Sequence, residues 1–555
     1  MSLRNRVPLA ACAGLVAGSL ADAQDVGSVL REREIARDTS GFTGALQPGD
    51  RFGSALVTLG DLDGDGVAEL AVGAPGDDDG NRDRGALWIL FPAQDGTVRQ
   101  QRRVAGSSDL GAALDNFDEF GSALATLGDL DGDGLRELAV GAPGDDDGAA
   151  DAGAVWLLFL GTDGAVRREL KLSALALGPA LDAGDGFGAS VLWLPDLDGD
   201  GRGELAVGAP GDDDGGSNRG AVWIGHGDHG TISWDKVSAT SGGFTGPLHD
   251  LDRFGVALAN LGDLDGDGGP EMAVAADMDD DTTSAGGALW TLFLDADGSV
   301  RGHTKISGAS GLDLGGFDLF GSSLASPGDL DGDGVPDLVV GAIGDDDGGI
   351  NRGALWVLYL ERSGNPKAWS KISATAGNFG AALERNDAFG IGLATLGDLD
   401  RDRRLDVVVG AAGDDTGGLE CGAAYVLFLE SARTLVERNG SGVNDRRLSA
   451  QSAPVIGATW EVLVDARSER PGLVMHLVTD RPYAGLFLPI GEVLIDPTRP
   501  LLARRFAAHQ STVARLWHRV PPDPLLLGLT IYTQAVVGAP GRLRLTNALD
   551  AQIVQ

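Results

Sequence analysis

The sequence predicts an all-β chain: a six-bladed β-propeller, seven-bladed if the segment after Glu430 adds a blade, followed by a small β-sandwich-like domain. Three observations predict it. A unit that reads "DRFGSALVTLGDLDGDGVAELAVGAPGDDDG" from Asp50 recurs, with its Phe52 echoed at Phe120, Phe187, Phe254, Phe320 and Phe389, at spacings of 68, 67, 67, 66 and 69 residues. A period held this closely marks a repeat architecture. Each unit carries four short strand-like runs divided by turn residues, the pattern of a propeller blade. The 87 glycines and only 6% aromatic residues fit many tight turns and short strands better than long helices.

Taken in chain order, the first element is "MSLRNRVPLAACAGLVAGSLADAQ", in which Arg4 and Arg6 precede an apolar stretch and Ala21-Asp22-Ala23 forms a small-x-small cleavage site. This reads as a signal peptide over residues 1–23, so the protein is expected to be secreted, to the medium or the cell surface, with the periplasm as the other open compartment. "LAAC", ending at Cys12, looks like a lipoprotein box, but few apolar residues precede it. No later segment supplies the run of about 20 apolar residues that a transmembrane helix needs. With Cys12 removed, Cys421 is the one thiol left, and no internal disulfide is expected.

An orphan strand, "SVLREREIARDTSGF", follows. The sixth unit has only its first three strands, ending in "AAYVLFLE", so the N-terminal strand is expected to complete that blade and close the ring across residues 24–438. Within a unit, "SALVTLG", "ELAVGA" and "GALWILF" are the first three strands. A polar fourth, such as "TVRQQRRVA", suits an outer edge.

Between the first and second strands lies the loop that carries chemistry. In the first unit Asp61, Asp63 and Asp65 occupy positions 1, 3 and 5, with glycines at 64 and 66 and Glu69 at position 9. Alternate carboxylates converge only if the backbone curls sharply, which glycine permits. Hard oxygen donors at this spacing select calcium over magnesium or zinc. The set recurs at Asp129, Asp131, Asp133 and Glu137; at Asp196, Asp198, Asp200 and Glu204; at Asp263, Asp265, Asp267 and Glu271; at Asp329, Asp331, Asp333 and Asp337; and at Asp398, Asp400, Asp402 and Asp406. The competing reading is a solvated acidic turn. The sixth loop departs from the pattern, with Arg401 and Arg403 in place of the glycines, so about five to six calcium ions are expected.

"FG", the D-x-D-x-D-G loop and "GAP", here Phe52-Gly53, Asp61 to Glu69 and Gly73-Ala74-Pro75, resemble in that order the FG-GAP repeat of integrin α-chain propellers. The resemblance implies calcium in the loops and a role in extracellular recognition or adhesion. The chain departs from that family in its six repeats, in Glu at position 9 of the first four loops, and in the decay of "GAP" to "AAD" at Ala275, "GAI" at Gly341 and "GAA" at Gly410.

A second acidic motif, "GDDDG", follows "GAP" at Asp77 to Asp79, Asp145 to Asp147, Asp212 to Asp214, Asp279 to Asp281 and Asp345 to Asp347, with Asp414-Asp415 in the sixth unit. Successive hairpin turns alternate faces, so these turns belong opposite the calcium loops. They read equally as further cation sites, as a docking surface, or as a solubilising turn copied by duplication. Trp88, Trp156, Trp223, Trp290 and Trp356, with Tyr425, recur at one phase of the third strand and point to packing between blades. "HGDH" at His226 to His229 looks like a metal cluster but occupies a hairpin turn, and reads as a variant turn.

The formal charge is −39, with −43 on residues 24–438 and +3 on residues 439–555. So acidic a body repels nucleic acid and anionic membranes. Residues 439–555 leave the repeat and show short β-like runs such as "TWEVLVDA" and "LVMHLVTD". No Ser-His-Asp or Cys-His arrangement appears, and the chain reads as a non-enzyme. The function expected is that of a calcium-binding extracellular interaction or adhesion module, a monomer with a protein or glycan ligand. The alternative is a calcium-dependent carbohydrate-binding protein, or an accessory of a secreted hydrolase system.

Overall fold

Short β-branched and leucine-rich runs between glycine turns form strands and little else. The computed structural model describes residues 26–430 except 79–81, 111–113, 177, 229–230 and 401–403, and beyond Glu430 the backbone of strands between residues 435 and 552. The expected signal segment, with Cys12, and the loop residue Asp402 lie outside the described residues, as do Asp79 and His229. None of the described helices is long and apolar enough to cross a membrane.

Six four-stranded antiparallel sheets make the blades of a propeller. Blade 1 is β2 (Leu56–Gly60), β3 (Glu69–Ala74), β4 (Ala86–Pro92) and β5 (Val98–Val104), in that spatial order. Blade 2 runs β6 (Ala123–Thr126), β7 (Leu138–Ala142), β8 (Ala154–Leu160), β9 (Val166–Ser173). Blade 3 runs β10 (Ser190–Leu194), β11 (Glu204–Ala209), β12 (Ala221–Asp228), β13 (Thr231–Ser238). Blade 4 is β14 (Leu258–Gly262), β15 (Glu271–Ala276), β16 (Ala288–Leu294), β17 (Val300–Ser307). Blade 5 is β18 (Phe320–Gly328), β19 (Asp337–Ala342), β20 (Ala354–Leu360), β21 (Pro366–Ser373). Blade 6 takes β22 (Phe389–Gly397), β23 (Asp406–Ala411) and β24 (Ala423–Leu429) from the end of the ring. Its fourth strand is β1 (Val29–Ile35), paired antiparallel with β24.

Burial explains the strand compositions. The second and third strands lie between neighbouring blades and are apolar without alternation, β3 and β4 being buried at every position. The fourth strand faces outward, so β5 reads apolar only at its ends. The recurrent tryptophans pack between blades. Trp88 sits in one core with Phe42 and Phe52 of its own side and Val408, Val426 and Phe428 of blade 6. The closing seam therefore has the same kind of core as the others, and a parallel bridge between Phe52 and Gly422 spans it as the bridge between Gly85 and Phe120 spans blades 1 and 2.

The two sequence signatures meet at these seams. A β-carbon added to Gly73 of "GAP" would lie 1.9 Å from the carbonyl oxygen of Gly121, the glycine of the next "FG". Only glycine allows so close an approach of backbone to backbone.

The chain divides into two compact units between Ser431 and Ala432. Among the described residues the segment after Glu430 adds no seventh blade: its strand Leu435–Arg438 pairs with Arg542–Gln552 in the second unit. That unit is described by its strands alone, as a five-stranded, a three-stranded and a two-stranded sheet.

Candidate cation sites and the acidic turns

Each D-x-D-x-D loop joins the first strand of a blade to its second. In the first loop Asp61 organises the curl: Oδ1 accepts from the Gly64 N–H at 2.8 Å and Oδ2 from the Gly66 N–H at 2.8 Å. Both glycines have positive φ, 80° and 85°. Asp63 Oδ1 accepts from Asp65 N–H at 3.1 Å and Asp65 Oδ1 from Val67 N–H at 2.8 Å. Each carboxylate is thus pinned by one turn of backbone, and ligand atoms of Asp61, Asp63, Asp65 and Glu69 lie within 4.8 Å of one another.

Glu69 sets the floor of the loop. It opens β3, is 0% exposed, and its Oε2 accepts from the Leu62 N–H at 2.5 Å. Its Oε1 is buried with no hydrogen-bond partner. Burial, opposed by the Leu62 hydrogen bond and reinforced by the charge of Asp63, pushes its pKa up to about 7. A buried orphan oxygen beside three exposed carboxylates fits a cation, which would satisfy the oxygen and bring the carboxyl back to its charged form. In every loop position 9 accepts from the equivalent backbone N–H. Leu130, Leu197, Leu264, Leu330 and Leu399 donate backbone N–H groups to Glu137, Glu204, Glu271, Asp337 and Asp406 at 2.5, 2.9, 2.6, 2.7 and 2.8 Å. Glu and Asp therefore meet the same backbone demand.

Ligand atoms also converge in the second loop, at Asp129, Asp131, Asp133 and Glu137, and in the third, at Asp196, Asp198 and Asp200. In the fourth, Asp263 and Asp265 accept from Gly266 and Asp267 N–H at 2.8 and 3.0 Å. In the fifth, Asp337 also accepts from the Asp331 N–H at 3.3 Å, and Asp329 and Asp333 belong to the same loop. In the sixth, Asp398 and Asp400 lie among the described residues with Asp406.

The fourth strand contributes basic groups that the motif does not announce. Arg99 reaches Asp63 at 3.4 Å and Asp65 at 2.5 Å. Arg301 reaches Asp265, Asp267 and Glu271 at 3.0, 2.7 and 3.1 Å. Lys367 lies 2.8 Å from Asp331, and Arg31 lies 3.1 Å from Asp400. Each comes from the fourth strand of the same blade, 30 or more residues from its carboxylate, which is why spacing within the loop did not reveal it.

The strand 2 to strand 3 turns are built differently. Across the third and fourth strands Trp156 pairs with Lys171, Trp223 with Lys236, Trp290 with Lys305 and Trp356 with Lys371. The ammonium groups run 5.4, 5.0, 5.1 and 5.2 Å from the ring centroids. They then end on the first aspartate of the turn: Lys171 on Asp145, Lys236 on Asp212, Lys305 on Asp279 and Lys371 on Asp345, each at 2.5 Å. The third aspartate shares the same ammonium at 2.8 Å for Asp147 and 3.0 Å for Asp214 and Asp347. The second caps the turn, as where Asp146 Oδ1 accepts from the Asp151 N–H at 2.9 Å. Arg103 serves Asp77 in blade 1. The choice left open by the sequence narrows, since the first aspartate of the turn already has a basic partner in blades 1–5. A recurring Lys two residues before a Ser in the fourth strand was the signal for it.

Blade 6 breaks the rule. Tyr425 replaces Trp and pairs with Glu34, not lysine. The Tyr425 hydroxyl donates to Asp414 Oδ2 at 2.8 Å, and burial, with the charge of Asp414 beside it, raises the Glu34 pKa, against a Thr416 hydrogen bond.

The FG-GAP repeat family matches residues 52–90, 120–158, 187–224 and 320–358. Integrin alpha-PS5 of Drosophila melanogaster is 34% identical over 181 residues, 32% of this chain and 17% of that protein. Integrin alpha-4 of Xenopus laevis is 32% identical over 170 residues, 30% of this chain and 15% of that protein. Integrin alpha-PS2 of Drosophila melanogaster is 32% identical over 233 residues, 40% and 15%. The chain thus spans less than a fifth of the length of these relatives. Among solved structures, BBS1N in complex with ARL6DN aligns over 70% of this chain and 82% of its own at 13% identity, with a TM-score of 0.34.

Proposed function

From the integrin-α-like FG-GAP propeller that this chain carries, we infer an extracellular, calcium-stabilised interaction or adhesion module, non-enzymatic, that binds a protein partner through the face of its strand 2 to strand 3 turns. The observation that carries the reading is on that face. Phe117, Leu251 and Phe317 occupy the same position of the repeat, three residues before Phe120, Phe254 and Phe320 of the "FG" pairs, and are 49%, 52% and 63% exposed with φ of 70°, 76° and 66°. Bulky side chains gain nothing locally from left-handed backbone or from water. Held out among acidic turns, they suit a partner that offers apolar contact ringed by Lys or Arg.

Calcium supports this reading from the other face. The six loops supply Asp61, Asp63, Asp65 and Glu69 and their counterparts, and the ion would neutralise carboxylates that otherwise repel one another. Its contribution is to hold the blades, in a chain whose described cysteine, Cys421, is free. Secretion through a signal segment at residues 1–23 belongs to the same proposal, as does separate folding of the propeller and the C-terminal domain, with the boundary that the sequence puts at 438 moved to Ser431, since Leu435–Arg438 pairs within the second unit.

The test is a pull-down from cell-surface extracts with the whole mature chain and with Phe117→Ser/Phe317→Ser. The reading expects a protein captured by the first and lost by the second, with the melting temperature unchanged. Equal capture by both would contradict it.

The carbohydrate-binding alternative has one observation in its favour. A cavity of about 270 Å³ on the ring axis is lined by Thr58, Thr126, Trp193, Asn260 and Thr395. Half-buried Trp193 offers an indole face beside hydrogen-bonding groups, the elements of a sugar site. Glycan-array binding lost in Trp193→Ala would favour it.

A further inference from the structure

The residue at position 9 opens the second strand of its blade, and antiparallel pairing sets one residue of the third strand across from it. In blade 4 Glu271 faces Phe293, and in blade 6 Asp406 faces Phe428. The register of blades 1, 2 and 5, read one residue on from Leu70 with Leu90, Leu138 with Leu158 and Leu338 with Leu358, brings Phe91, Phe159 and Tyr359 to the same place. Blade 3 is different. Leu205 pairs with Gly225, so Glu204 meets His226.

The imidazole is turned into the site. His226 Nδ1 lies 3.9 Å from Glu204 Oε1, with the His226 side chain 11% exposed and that of Glu204 3%. Its Nε2 is shut off from solvent and forms no aligned hydrogen bond. The nearest acceptor, Asp235 Oδ2, stands 3.4 Å from it. Asp235 thus stands behind the ring, where outer carboxylates stand behind metal-binding histidines, and Nδ1 is the nitrogen that faces Glu204. Ligand atoms of Asp198, Glu204 and His226 lie within 4.8 Å of one another. Where the fourth strands of blades 1, 4 and 5 place Arg99, Arg301 and Lys367 beside their loops, that of blade 3 has Ile232.

We propose that the third blade carries a mixed nitrogen and oxygen site, formed by Asp198, Glu204 and His226, that binds a borderline divalent ion such as zinc in preference to calcium. Three protein donors and one open position are an ordinary zinc arrangement, and imidazole selects zinc, cobalt or nickel over the hard ions. Asp198 and Glu204 also belong to the calcium set of that loop, so the two metals exclude each other there. The proposal rests on the loops being cation sites only in this competition; the zinc site itself stands or falls on His226.

The test is a zinc titration of the whole mature chain in saturating calcium, with bound zinc and calcium counted after dialysis, repeated with cobalt for its visible absorption. The expected result is one zinc bound and one calcium released per chain, with cobalt bands of a nitrogen and oxygen site. His226→Phe restores the residue type of the other blades. It should weaken zinc at least about tenfold and leave calcium in that loop. His226→Gln is the second variant if the first fails to fold. Zinc bound equally by wild type and variants, or not bound, overturns the proposal. Loss of calcium binding in every loop with zinc retained would instead overturn the calcium reading alone.

Discussion

The two hairpin faces of the ring use the same residue for opposite ends. On the strand 1 to strand 2 side, aspartates converge and the buried Glu69 Oε1 has no partner. On the strand 2 to strand 3 side an equal density of aspartate is satisfied from within, by Lys171, Lys236, Lys305, Lys371 and Arg103 and by turn amides. Acidic density alone therefore does not make a cation site. What sets the first loop apart is that Glu69 Oε1 stays buried without a partner even though Arg99 reaches Asp63 and Asp65.

The largest effect expected from this contrast is on chelation. If each loop binds calcium at about 0.1 mM with calcium near 1 mM, each site adds roughly 1.4 kcal/mol and six add about 8. With an unfolding entropy of about 2.1 cal/mol/K per residue over roughly 400 residues, excess EGTA should lower the melting temperature by about ten degrees. An unchanged melt would remove the contrast.

Next is Lys305→Ala. Asp279 is 1% exposed at its side chain and would lose its ammonium, a cost of about 3 kcal/mol, or about four degrees. If calcium plays no part on that face, the loss should be the same with and without EGTA. A loss rescued by calcium would blur the two faces into one.

A pH series in EGTA should move the other way from ordinary acid denaturation. Burial, the leading cause, pushes Asp50, Asp118, Asp185, Asp252 and Asp387 up to about 6. An unfolded aspartate titrates at about 3.9, so between these values the folded chain holds more protons and loses stability as pH rises. The chelated protein should melt higher at pH 5 than at pH 7.5. A lower melt at pH 5 would contradict this placement of buried acids.

Smallest is Glu69→Gln. It should cost about 1.4 kcal/mol in calcium and nothing in EGTA, where it only removes a buried acid. Equal loss in both conditions would make Glu69 a packing residue.

Much of this was legible from phase alone. A repeat that holds Phe, Asp, Gly and Trp in register announces blades, seams and loops, because each residue must meet the same neighbour once per turn of the ring. The closing strand was legible as the one unpaired fourth-strand pattern. What escaped notice depends on register between strands. Lys171 reaches Asp145 from 26 residues away, Arg99 reaches Asp63 from 36, and His226 looked like part of a turn until its pairing set it against Glu204. Beyond Glu430 no repeat exists to fix the phase, and the strands there carry no such cross-check.

The most direct test is a calcium count by equilibrium dialysis on the wild type, on a variant with Asp61, Asp63 and Asp65 changed to Ser, and on one with Asp145, Asp146 and Asp147 changed to Ser. The account predicts one ion lost by the first variant and none by the second. No calcium on the wild type, or an ion lost by the second variant, would contradict it.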